Sequence, residues 1–175
     1  KTMGREKPAV VPFTSLLPNL IKMVTDRKKV AGFRILCSMI VNNMNLVDDA
    51  EGVAESPGVL RMSDLKNTRF QDDGEHSYLD LTAKKWHIQS TYTKNKKERL
   101  ITVPDNFVAD VKAIYQNNMP EWLLLDKAGH PYTNLNSLTN MFRVYLGIKF
   151  TDIRASYTTY RHALPVTTVG EIKKL

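Results

Sequence analysis

The sequence predicts an α+β domain, mainly α-helical with one small antiparallel β-sheet. Three observations carry that class. Apolar residues recur at helical spacing in the first and last thirds of the chain. Three short β-rich runs, 78–81 (YLDL), 86–93 (WHIQSTYT) and 99–103 (RLITV), stand close together in the middle, separated by polar stretches. Pro and Gly mark the boundaries between these segments. At 175 residues the chain suits one domain over 14–175, preceded by an N-terminal arm or linker over 1–13.

Residues 14–25 (TSLLPNLIKMVT) read as a helix capped by Thr14, with Pro18 near its first turn, where a missing N–H is tolerated. Residues 26–44 read as a second helix with Asp26 as its N-cap. Val30, Phe33, Leu36, Cys37, Ile40 and Val41 form its core stripe. Residues 46–58 (LVDDAEGVAESPG) hold four acids, two glycines and a proline and read as a loop, after which 59–68 return to helical spacing. The sheet follows, with KNKKE at 94–98 as a basic hairpin turn. Helices are predicted over 106–117, 134–146 and 152–163, with the apolar WLLL at 122–125 between the first two.

The hydrophobic fraction is 42%, and no apolar run approaches the ~18 residues a membrane span needs. KTMGREKPAVVPF at the N-terminus has neither the apolar core nor the cleavage site of a signal peptide. The single cysteine, Cys37, excludes an internal disulfide and a Cys-rich metal knuckle. A reducing, intracellular setting is the expectation.

The net charge of +7 is unevenly spread: residues 1–45 carry +6, 46–80 carry −6, 81–120 carry +4 and 121–175 carry +3. Basic faces meet phosphate, because neutralising a polyanion releases its condensed counterions. A solvated surface with a mild excess of Lys reads the same totals equally well. Within those segments three cationic sites stand out: Arg61, Arg154 and the run from Lys94 to Lys97. Both arginines lie in segments that read as partly buried, where a guanidinium needs an anion. Salt bridges to Asp64 and Asp152 would meet that need without any ligand.

The order and surroundings of these sites resemble the tyrosine recombinase (phage integrase) family. GVLRMSDL at 58–65 resembles its first arginine box, with Arg61 at the first catalytic arginine and Asp64 at the acid that braces it. TKNKKERLITVP at 93–104 is similar to its β-hairpin, with Lys94 at the catalytic lysine. LLLDKAGHPYTNLNSLTNMFRVYLGI looks like its connector of short strand, turn and long helix, and TDIRASYTTY resembles its second box, with Arg154 at the second arginine. The resemblance covers the chain from about residue 14 onward. It implies the catalytic core that tyrosine recombinases share with type IB topoisomerases.

What the resemblance implies is site-specific DNA recombination, by strand cleavage and rejoining through a 3′-phosphotyrosine. Two arginines would clamp the non-bridging oxygens of the five-coordinate transition state, and a lysine would protonate the leaving 5′-oxygen. Double-stranded DNA is the implied partner, contacted also by Lys96, Lys97 and Arg99, and the protein would act as a homo-oligomer, dimer to tetramer, on DNA. No cofactor, no metal and no membrane are implied.

The chain departs from the family pattern in two places. Thr151 stands where the family usually has a histidine, three residues before Arg154; a hydroxyl can hydrogen-bond phosphate but is no base near neutral pH. The family carries its nucleophilic tyrosine some twenty to forty residues past the second arginine, and 21 residues follow Arg154 here. The nucleophile is therefore expected beyond Leu175, with Tyr157 and Tyr160 as packing residues and residues 1–175 inactive alone. A type IB topoisomerase and a catalytically inactive DNA-binding module are the alternative functions.

Overall fold

Phe13, Leu16, Leu20 and Val24 lie along one face of the first helix, α1 (Phe13–Thr25), and bury it against the core. The computed structural model describes residues 12–47, 59–89 and 99–163, with side chains to 160. α1 starts one residue before the expected cap: Pro12 is the N-cap and Ser15 Oγ donates to its carbonyl (2.7 Å). Pro18 therefore sits inside the helix rather than in its first turn, on the exposed side.

Asp26 does not cap the second helix. It ends α1, accepts the Lys28 N–H (3.0 Å) and pairs with Lys29 (3.3 Å). This local Asx turn satisfies the backbone of DRKKV without a helix, so α2 begins only at Ala31 and runs to Val41. Of the expected stripe, Phe33, Leu36, Cys37 and Ile40 are buried and Val30 and Val41 partly so; Ile35 and Met39 are fully buried as well, making α2 the central helix, packed on α1, the fourth helix and the fifth. Gly32 permits that closeness: a Cβ there would lie 3.1 Å from the Tyr132 ring and 3.2 Å from Leu138. Cys37 belongs to this core, and burial pushes its thiol pKa far up.

The chain turns at Asn43 and enters β1 (Asn45–Val47), which pairs in parallel with β2 (Val59–Arg61) in the register Asn45↔Val59, Leu46↔Leu60, Val47↔Arg61. Sequence reading makes 46–58 a loop and 59–68 a helix. The structure makes 59–61 a strand because Leu46 and Leu60 both insert into the core from this ribbon. Only Met62–Lys66 is helical, as α3.

The sheet is mixed rather than wholly antiparallel. Its order is β3 (Thr68–Arg69), β4 (Ser77–Asp80), β5 (Lys85–Ile88), β6 (Arg99–Thr102). The three expected runs form the antiparallel part, and β3 adds a short parallel edge against β4. Ser77, Leu79, Trp86, Ile88 and Ile101 face inward, with Tyr78, His87 and Leu100 outward. Trp86 lies over Phe107 of α4 (Asp105–Ile114). WLLL forms no strand of its own: Trp122 and Leu125 make isolated bridges, while Leu123 and Leu124 are buried.

α5 (Asn136–Leu146) closes with Gly147 at φ 72°, a left-handed turn that favours glycine, and α6 (Phe150–Ala163) follows. No helix among the described residues is long and apolar enough to cross a membrane.

Candidate phosphate-binding site

Arg61 ends β2 and is the N-cap of α3. Its backbone N–H donates to Asp64 Oδ2 (3.2 Å), the reciprocal half of a capping arrangement. Its guanidinium turns the same way, with Nε 3.3 Å from Oδ2 and Nη2 3.4 Å from Oδ1. Asp64 is thus paired with the Arg61 guanidinium, and it is only 6% exposed. Its position is held by the sheet: Thr68 Oγ1 donates to the Asp64 carbonyl (2.8 Å), and Trp86 Nε1 donates to that hydroxyl (3.0 Å).

Arg154 projects from α6. Its Nη1 donates to the carbonyl of Leu46 in β1 (3.2 Å), and its guanidinium lies 5.5 Å from the Phe150 ring centroid. Leu46 pairs with Leu60, the residue before Arg61. Arg154 thus binds one strand of the two-stranded ribbon whose other strand ends in Arg61.

Thr151, exposed one turn before Arg154, lines two clefts. The larger, of about 790 Å³, lies between α3, the 133–137 segment, α5 and the start of α6. Lys66, Arg143 and Lys149 line it, and among the described residues no carboxylate does. Asn136, Thr139, Asn140 and Arg143, at helical spacing, line one side of it along α5. The smaller cleft, of about 520 Å³, is bounded by Arg154, the end of α2 and β1. Arg61 lines neither, its guanidinium being turned to Asp64.

Lys94, Lys96 and Lys97 fall outside the described residues. Arg99, grouped with them by sequence as a DNA contact, points inward: its side chain is 15% exposed and Nη2 lies 2.9 Å from Asp64 Oδ2. The signal that finds this is alternation along RLITV. Arg99 shares its face with buried Ile101, whereas Leu100 is on the exposed face. Lys66, Arg143 and Lys149 are the cations that sequence reading misses. Tyr157 and Tyr160 both pack on Phe13, with centroids 5.3 and 5.4 Å away, and the Tyr157 hydroxyl donates to the Asn43 carbonyl (3.2 Å). Among the described residues no group of His, Cys, Asp and Glu is arranged to hold a metal ion.

No protein-family profile matches the chain, and no curated protein is significantly similar to it in sequence. Its structure is similar to the crystal structure of XerA recombinase, with a TM-score of 0.57 at 12% identity, over 93% of this chain and 54% of that one. The fold is that of a tyrosine recombinase catalytic domain. The chain spans about half the length of the recombinase it matches. On this fold, the smaller cleft, lined by β1 and Arg154, adjoins the larger one through Thr151, which lines both.

Proposed function

We propose that this chain is the catalytic portion of a site-specific DNA recombinase, which breaks and rejoins double-stranded DNA through a 3′-phosphotyrosine. The observation that carries the reading is that Arg154 of α6 binds the Leu46 carbonyl of β1, the strand paired with β2, which ends in Arg61. The cleft lined by Lys66, Arg143 and Lys149 supports it, because a concave surface that gathers three cations suits a phosphate backbone.

In this reading a tyrosine, supplied by another part of the protein or assembly, loses its hydroxyl proton to solvent water and attacks the scissile phosphorus in line. The new P–O bond to tyrosine forms as the P–O5′ bond breaks, and Lys94 gives its proton to the departing 5′-oxygen. Arg61 and Arg154 hold the two non-bridging oxygens through forked N–H donors, an arrangement matched to the charge of the transition state. Thr151 can donate its hydroxyl to the same phosphate. Lys96 and Lys97 add backbone contacts beside the hairpin, and rejoining runs the same steps backwards. Two to four copies act together on DNA, in whichever compartment holds it.

A binding-only module is the second reading, favoured by Thr151 in the place of a histidine. The deciding experiment offers the full protein carrying this segment a nicked suicide duplex. A covalent adduct that survives denaturation, and is absent in R61Q and R154Q, is expected. Binding without any adduct from the wild type would turn the assignment to the binding-only module. Relaxation of supercoils without sequence-specific joining would turn it to a type IB topoisomerase.

A further inference from the structure

We propose that Arg99 is a positioning residue: it holds the Asp64 carboxylate from the sheet side and thereby orients Arg61, and does not contact DNA. The kinetic part of this inference rests on the recombinase reading; the structural part does not.

Asp64 needs such a partner. Its backbone is held by the Thr68–Trp86 relay, but the terminal torsion of an aspartate is broad and leaves the carboxylate plane free to rotate. Oδ2 accepts from the Arg61 backbone (3.2 Å), from Arg61 Nε (3.3 Å) and from Arg99 Nη2 (2.9 Å). The Arg99 bond is the shortest, and it reaches the carboxylate from a different element. The Arg61 contacts alone would let the pair swing together about α3. With Arg99 on β6, one oxygen is tied to the sheet, and the guanidinium that pairs with it inherits that orientation.

The register explains why Arg99 is available for this. It pairs with buried Ile88 of β5 and shares the inward face of β6 with Ile101, so its side chain runs beneath the sheet toward α3. At 15% exposure the guanidinium is poorly presented to a DNA backbone.

The test compares wild type, R99Q and R99K in the intact protein, measuring DNA affinity and single-turnover cleavage at saturating DNA. A misplacement of Arg61 by about 1 Å is expected to slow cleavage roughly 100-fold in R99Q, with affinity for DNA unchanged. R99K keeps one cationic donor for Oδ2 and is expected to fall between R99Q and wild type. A loss of DNA affinity, or an unchanged cleavage rate, overturns the proposal. Should R99Q not fold, R99K alone carries the comparison with the same criteria. If the wild type does not cleave, the recombinase reading fails, and the inference is decided by the ¹⁵Nε–¹Hε resonance of Arg61. A shift or broadening of that resonance in the Arg99 variants supports the positioning role, and an unmoved resonance overturns it.

Discussion

Arg154 donates a hydrogen bond to the main-chain carbonyl of Leu46 (3.2 Å), which ties α6 to the strand paired with the one that ends in Arg61. The relationship makes the β1–β2 ribbon the shared support of both arginines. Leu60, fully buried, fastens β2 to the core between them. L60A is expected to lower stability by about 2–5 kcal/mol, the range for a leucine truncated in a packed core. Urea denaturation of L60A beside wild type measures it, and an unchanged midpoint would contradict the support role.

The cleft lined by Lys66, Arg143 and Lys149 has a signature in salt. Each phosphate contact contributes about 0.9 to the slope of log affinity against log salt, so R143Q or K149Q should flatten that slope by about one unit. Fluorescence anisotropy with a labelled duplex across a salt series reads this directly. A slope unaltered in both variants would take the cleft out of the DNA interface.

Much of this was legible in the sequence, and the failures have physical causes. The α2 stripe, the alternating strands 78–81 and 99–103, and the helix closed by Gly147 are local patterns, each set by residues a few positions apart. Strand β2 was not legible, because three residues qualify as a strand only once β1 lies beside them. The parallel edge at Thr68–Arg69 failed for the same reason. Asp26 suited a helix N-cap by type, yet its side chain found the Lys28 N–H first. In the candidate site, Arg61 beside Asp64 is three residues of local chemistry and was readable. Lys66, Arg143 and Lys149 gather only through tertiary packing, and no spacing announces them.

Asp73 gives a prediction in pH. Hydrogen bonds from the backbone and ring of His76, and from the Glu75 backbone, hold its carboxyl well below the usual aspartate range. A depressed folded pKa contributes stability that is present above the unfolded value, about 3.9, and lost as pH falls toward the folded one. D73N should therefore flatten the fall in melting temperature on the acid side of pH 4 while changing little of the slope above pH 5. Parallel acid-limb profiles for the two proteins would contradict the assignment.

Tyr157 and Tyr160 support α1 through Phe13 and are not expected to attack DNA. In a protein that forms the covalent adduct, Y157F and Y160F should each retain it, as a gel shift that survives denaturation. Loss of the adduct in Y160F alone would make Tyr160 the nucleophile.

The account turns on Arg61 and Arg154 serving one phosphodiester, and an anion-bound structure tests that most directly. Crystals of the protein grown with vanadate, or with a duplex containing the cleavage site, would show where the tetrahedral or five-coordinate group sits. Guanidinium nitrogens of Arg61 and of Arg154 are both expected at about 3 Å from oxygens of a single group, the ordinary hydrogen-bond distance. A group held by one arginine alone, with the other guanidinium turned to a different face of the domain, would contradict the account.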